Sequence, residues 1–210
     1  MQVSIPVLDS LAEAAKEFVQ KVITPPLEEV GLLISDNVKL WRFKNQVNIV
    51  TKAEEYLKSK NIKTKKVSLK IMAPLLEGAA MEEEDSLQDK WAALLANTVS
   101  ESSQITTNLF SHILSQLTKE DADFFDIIYN NCVTSQKTEM VTFSLMQYRA
   151  IHTDSLRKVI TSTNSYIIID NLIRLRLIKD ISYQNNGTTD AQFVTLTDLG
   201  FQFMNACRTY

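Results

Sequence analysis

The first half of the chain carries a helical spacing of apolar side chains almost throughout. Over residues 7–23, Val7, Leu8, Leu11, Ala14, Ala15, Phe18, Val19 and Val22 recur at three- and four-residue steps, and Asp9, Glu13, Lys16, Glu17 and Gln20 fill the other face. This predicts an amphipathic helix. Thr24-Pro25-Pro26 ends it, because proline disfavours helical geometry in the residue before it. A packed helix accounts for the pattern; a polar face of mixed sign argues against a membrane-surface role. Residues 27–60 predict one long helix or two in series, with a stripe of Leu40, Phe43, Val47, Val50, Ala53 and Leu57 and a break near Gly31 and Ser35-Asp36. Pro74 is expected to open a short helix, Pro74–Ala80. Ser86-x-x-Asp89 offers a capping pattern for the next, whose inner face is Leu87, Trp91, Leu94, Leu95 and Val99. A further helix is expected around Thr107–Gln116.

From Thr118 the pattern changes. Thr118-x-x-Asp121 should cap a helix carrying Phe124, Phe125, Ile128, Tyr129 and Cys132. Val141, Phe143 and Leu145 alternate with polar residues over Met140–Met146, which predicts a short strand. Thr153–Ile160 reads as a short helix, and Ser162 or Thr163 can cap another over Asn164–Leu177. Ile178–Tyr183 and Gln192–Leu196 then flank an Asn186-Gly187 turn as a β-hairpin, and Thr197 caps a last helix. This order is that of a winged helix-turn-helix. Asn171–Ile178, with the hairpin closing on Val194–Gly200, resembles the passage from recognition helix to wing in bacterial winged-helix regulators, an element that reads the DNA major groove. Here Ile173 and Leu175 stand where a reader of bases shows polar side chains, and Arg176 stands where the helix usually ends in glycine. Tyr166, Ile167, Ile168 and Ile169 make the helix apolar nearly all round, so it should be buried against its own domain or a partner. The wing, residues 184–190, has no Lys or Arg to meet a phosphate. Packing or protein contact, with Ile173 and Leu175 as candidate partner contacts, is therefore favoured over DNA recognition.

Composition narrows the architecture. The 210 residues are 45% hydrophobic, enough for one large or two small cores. Only four Gly and four Pro argue for long helices and against a sandwich, a propeller or a Gly-rich nucleotide fold. The expected fold is mainly α: a multi-helix module over residues 1–112, then a winged helix-turn-helix-like α+β module over residues 113–210. Charge is near balance, with 13 basic and 15 acidic residues up to position 110 and 9 and 10 beyond it, so bulk attraction to nucleic acid is not implied. One local exception is Lys58, Lys60, Lys63, Lys65, Lys66 and Lys70, with no acid among them. Lys63, Lys65 and Lys66 could touch phosphates, but without interleaved aromatics or arginines a solvated linker face is favoured. The N-terminal residues show no secretory pattern, and apolar runs such as Val30–Ile34 are far short of a bilayer span, so a cytoplasmic protein is expected.

Candidate chemistry is sparse. Cys132 and Cys207 cannot make a disulfide framework and read as small buried thiols. Two histidines, His112 and His152, have no metal-ligand or nucleophile–base spacing, and the glycines form no phosphate-cradling loop. No metal or cofactor is expected. Glu82, Glu83, Glu84 and Asp85 sit near a helix start, where the dipole favours negative charge.

Three stretches carry a resemblance. They are Trp41-Arg42-Phe43-Lys44-Asn45-Gln46; Val67–Lys70 leading into Pro74-Leu75-Leu76-Glu77-Gly78-Ala79; and Glu84–Asn97. In this order they resemble the Abi-alpha (abortive infection alpha) family, from about residue 25 onward. The resemblance implies a bacterial or phage-linked protein associated with phage defence; it supplies no catalytic residues and no cofactor. It places Trp41, Arg42, Lys44, Asn45, Glu77, Asp85, Gln88, Trp91 and Asn97 in the family motif. Asn45, Gln88 and Asn97 need hydrogen-bond partners if buried, and Arg42 or Lys44 could pair with Glu77 or Asp85. A network that fixes the helical module is favoured over a pocket or docking face made of the same groups. The expected function is a non-enzymatic protein-interaction module working through a protein partner or self-association. A winged-helix DNA-binding regulator comes second, and a cryptic hydrolase or nuclease built on Glu77, Glu84, Asp85 and Lys90 last.

Overall fold

The computed structural model describes residues 5–24, 37–133, 151–152, 165–181 and 193–209. The break expected near Gly31 and Ser35-Asp36, the strand Met140–Met146, the helix Thr153–Ile160, the caps Ser162 and Thr163 and the wing lie outside them. The fold is mainly α with a small antiparallel sheet. It divides into two compact units: Met1–Gln116 with Ala206–Tyr210, and Leu117–Asn205. A cut between residues 112 and 113 would pass through a helix.

In the first unit, α1 (Ile5–Val22) leads into β1 (Ile23–Thr24), and α2 (Asn37–Ser59) into β2 (Val67–Ser68), α3 (Leu69–Ala80), α4 (Asp85–Val99) and α5 (Leu109–Leu114). The predicted stripes are the buried faces: Ala15, Phe18, Val19 and Val22 of α1, and Val47, Val50, Ala53 and Leu57 of α2. Ile49 lies off the α2 stripe and is also fully buried, because α1, α3 and α4 pack around α2 on more than one side. α4 is buried at ten of its 15 positions, which makes it the centre of the unit. β1 and β2 pair in parallel, Ile23 opposite Val67 and Thr24 opposite Ser68.

Two predicted helix starts are corrected. Pro74 does not open a helix; α3 begins at Leu69 and proline is its sixth residue. The hydrogen bond that proline cannot donate is the one Lys70 would accept, and Lys70 is exposed, where water can replace it. Ser86-x-x-Asp89 is not a cap either. α4 starts two residues earlier, with Glu84 at its N-cap and the Leu87 and Gln88 N–H groups donating to the Glu84 carbonyl.

In the second unit, α6 (Lys119–Val133) is followed by β3 (Ile151–His152), α7 (Ser165–Arg174), β4 (Ile178–Ile181), β5 (Phe193–Leu196) and α8 (Asp198–Ala206, its last residue counted with the first unit). Here the predicted cap forms. The Thr118 N–H donates to Asp121 Oδ2 (2.9 Å) and the Asp121 N–H to Thr118 Oγ1 (3.2 Å), a reciprocal capping box. β5 is central in the sheet, antiparallel to β3 and β4, with Ile178 opposite Leu196 and Ile151 opposite Val194. That position explains why Val194, Thr195 and Leu196 are all buried in succession. α6 packs on α8 through Phe125 and Phe203 (ring centroids 6.1 Å apart) and through stacked Tyr129 and Phe201 (5.8 Å).

The ends of α2 and α7 share one device. Asn61 and Arg176 have φ of 53° and 59°, the left-handed region. At α7 the Arg176 N–H donates to the Ile173 carbonyl and the Leu177 N–H to the Leu172 carbonyl, with Leu172 and Leu177 both fully buried. This is a Schellman closure with arginine where glycine is usual. Arg176→Gly is therefore expected to stabilise the unit by ~0.5–1 kcal/mol, the left-handed cost of arginine less the added freedom of glycine in the unfolded chain. Chemical denaturation should show a higher midpoint at unchanged slope.

Candidate functional site

The motif residues gather in the first unit, where α2 crosses α3 and α4. Asn45 is 8% exposed and donates through Nδ2 to the Ala80 carbonyl (3.3 Å), satisfying an acceptor at the open end of α3. Its neighbour Gln46 donates Nε2 to the Leu76 carbonyl (2.9 Å). Gln88 on α4, 4% exposed, accepts from Asn48 Nδ2 (2.6 Å) and donates to the Glu82 carbonyl (3.0 Å), so both ends of its amide are used. Asn97, at the far end of α4, donates to the carbonyls of Ala206 and Arg208, each at 2.9 Å, in a segment of the same unit. Each of these amides donates to a backbone carbonyl.

Trp91 is the apolar counterpart. It is 1% exposed, and its Nε1 has no hydrogen-bond partner. Gly78 of α3 lies against the ring: a Cβ there would overlap Cη2 and come within 2.8 Å of Cζ2. The Glu77-Gly78-Ala79 stretch is thus matched to the indole by contact. Trp41 is half-buried.

The charged motif residues behave differently. Arg42, Lys44, Glu77 and Asp85 are exposed, and no ion pair joins them among the described residues. The ion pair between α2 and α4 is instead Lys52 with Asp89 (2.7 Å). Asn48, Lys52 and Asp89 were not among the expected site residues. The signal for the first two was in the sequence, since Asn45, Asn48 and Lys52 fall at i, i+3 and i+7 on one helix face.

The residues weighed for hydrolysis are not brought together. Lys90 is half-buried and lines a cleft of 340 Å³ with Asp89, Cys207 and Arg208, but Glu77, Glu84 and Asp85 do not line it. Among the described residues no group of three or more His, Cys, Asp or Glu is placed to hold a metal ion. Cys132 and Cys207 are buried and not joined in a disulfide.

The helix expected to be apolar all round is two-sided. Ile168, Ile169, Leu172 and Leu175 are buried, while Tyr166 (59%), Ile167 (69%), Asp170 and Arg174 face outward. Leu175 is therefore a core residue and not a partner contact, and Ile173 is half-exposed. The turn after the hairpin fits the sheet closely. Thr197 Oγ1 accepts from the Gly200 N–H (2.9 Å) as the expected cap of α8, and a Cβ on Gly200 would overlap the Leu177 carbonyl oxygen. Of the three candidate phosphate contacts, Lys63 and Lys66 are exposed, whereas Lys65 Nζ donates to the Ser103 carbonyl (2.6 Å). No helix of the described residues is long and apolar enough to cross a membrane.

No curated protein and no solved structure matched the chain. The profile described as abortive infection alpha matches residues 36–207, a span that takes in α2, α3, α4 and the whole second unit. The chain belongs to the abortive infection alpha family.

Proposed function

We propose that the chain is a non-enzymatic protein-interaction module in bacterial defence against phage. Membership of the abortive infection alpha family supports the defence setting. The observation that carries the interaction reading is the use of the motif amides. Asn45, Gln88 and Asn97 bond to backbone carbonyls and, through Gln88, to Asn48 within their own unit, so these groups serve to hold helices. For the second unit we read a winged helix used for protein contact. Its outward apolar side chains, Tyr166 and Ile167 at the start of α7, take over the role first expected of Ile173 and Leu175. Adjacent large apolar groups at such exposure suit a contact that removes them from water.

Sedimentation velocity over a range of concentrations tests the reading, alongside capture of tagged protein from phage-infected cells. The expected result is a mass that rises with concentration, or a specific co-purifying protein, and loss of either on Ile167→Asp. An exposed substitution of this kind should change stability by no more than about 0.5 kcal/mol. A monomer at every concentration with nothing captured would overturn the proposal.

A further inference from the structure

The lysine run is not a linker, because its backbone is fixed on both sides. After α2, the Asn61 N–H donates to the Lys58 carbonyl and the Ile62 N–H to the Leu57 carbonyl, closing the helix through the left-handed Asn61. Thr64 then bridges Ser100, the Lys65 N–H donates to the Val99 carbonyl and the Glu101 N–H to the Lys63 carbonyl (both 2.8 Å). Val67 and Ser68 follow as β2. This framework sorts the side chains. Lys58 pairs with Glu54 (2.9 Å), and Lys65 turns in to the Ser103 carbonyl, while Lys60, Lys63, Lys66 and Lys70 are exposed.

We propose that Lys60, Lys63, Lys66 and Lys70 form a ridge that binds the phosphate backbone of nucleic acid without reading its sequence. Four exposed ammonium groups stand here; the exposed acids beside them are Glu55, near the end of α2, and Glu101, whose N–H bonds the Lys63 carbonyl. Lysine is a compact point charge suited to single phosphate oxygens. The surface supplies charge alone. The large apolar side chains exposed among the described residues are Met81, Leu109, Tyr166 and Ile167, none of them between 58 and 70. A protein interface needs an apolar centre, and a stable membrane anchor needs an apolar face or a second signal beside the basic one. A polyanion of regularly spaced phosphates needs neither. The site lies in the first unit and does not depend on the partner contact proposed for α7.

Fluorescence anisotropy of the full chain with a short labelled duplex, titrated at several salt concentrations, is the test. Binding should be measurable at about 50 mM salt and weaken as salt rises. The triple substitution Lys60→Gln, Lys63→Gln, Lys66→Gln should weaken it about tenfold or more and flatten the log–log salt slope by about 3, one counterion-release contribution per lysine. Lys65→Gln, which removes the same charge from a side chain turned inward, should leave binding within about twofold and is the control for bulk charge. Absence of binding at low salt, a triple variant that binds like the parent, or a Lys65 effect as large as that of Lys63→Gln would each overturn the proposal. So would capture by phosphatidylserine vesicles with no binding to the duplex.

Discussion

Replacing Trp91 with alanine is expected to lower the stability of the first unit by about 3–5 kcal/mol. The ring is 1% exposed on the central helix of the unit and meets α3 at Gly78, where the space is already closed to a single added carbon. Neighbouring helices can collapse only partly into the space left behind, so a cavity term adds to the lost burial. Trp91→Phe separates packing from polarity. The indole N–H is buried without a partner, and phenylalanine removes it while keeping a ring, so this change should cost no more than about 1.5 kcal/mol. Gly78→Ala should cost about 1–3 kcal/mol alone and much less in the Trp91→Ala background, since the atom it strikes is then gone. Urea denaturation of the four variants would give these values. Additive losses for Gly78 and Trp91 would show that the contact is not what links them.

Gly200→Ala is expected to destabilise the second unit by about 3 kcal/mol, at the upper end for a single added methyl group. The new Cβ would fall on the Leu177 carbonyl oxygen and within 2.8 Å of its carbonyl carbon, and backbone cannot rotate away as a side chain can. Leu177 is held in turn, because its carbonyl accepts from the Thr197 N–H (3.1 Å) and from Thr197 Oγ1 (3.2 Å). Relief would require moving β4 or the first turn of α8. Thr197→Ala, which removes the cap but adds no clash, should cost only about 1 kcal/mol. A Gly200→Ala protein with a thermal midpoint near that of the parent would show that the strand and helix can part at little cost.

What the sequence revealed followed the range of the interaction. The stripes of α1, α2 and α4 were legible because burial repeats with the helix period. The Thr118–Asp121 box was legible because its partners are three residues apart. The same local pattern at Ser86–Asp89 misled, since the helix had already begun at Asp85 behind its cap Glu84, and local spacing cannot say which of several polar residues stands at the helix start. Asn45, Gln88 and Asn97 were recognised as polar groups needing partners, but Asn45 and Asn97 find theirs in carbonyls 35 to 111 residues away, and no side-chain pattern encodes a carbonyl. The pairing of Arg42 or Lys44 with Glu77 or Asp85, which the sequence allowed, is not among the described ion pairs for a related reason. Opposite charge alone did not say which helix faces meet, and Lys52 and Asp89 met instead. On α7, counting apolar residues hid a division that burial makes plain: Leu175 belongs with Leu172 inside, and Ile167 outside.

The chain leaves the first unit after Gln116 and rejoins it at Ala206. A ribosome making this protein would therefore finish α4 long before the carbonyls that satisfy Asn97, which emerge 109 and 111 residues later. The early helices must wait, incompletely closed, while the intervening unit is translated, and these hydrogen bonds of the first unit can form only after that unit has been made.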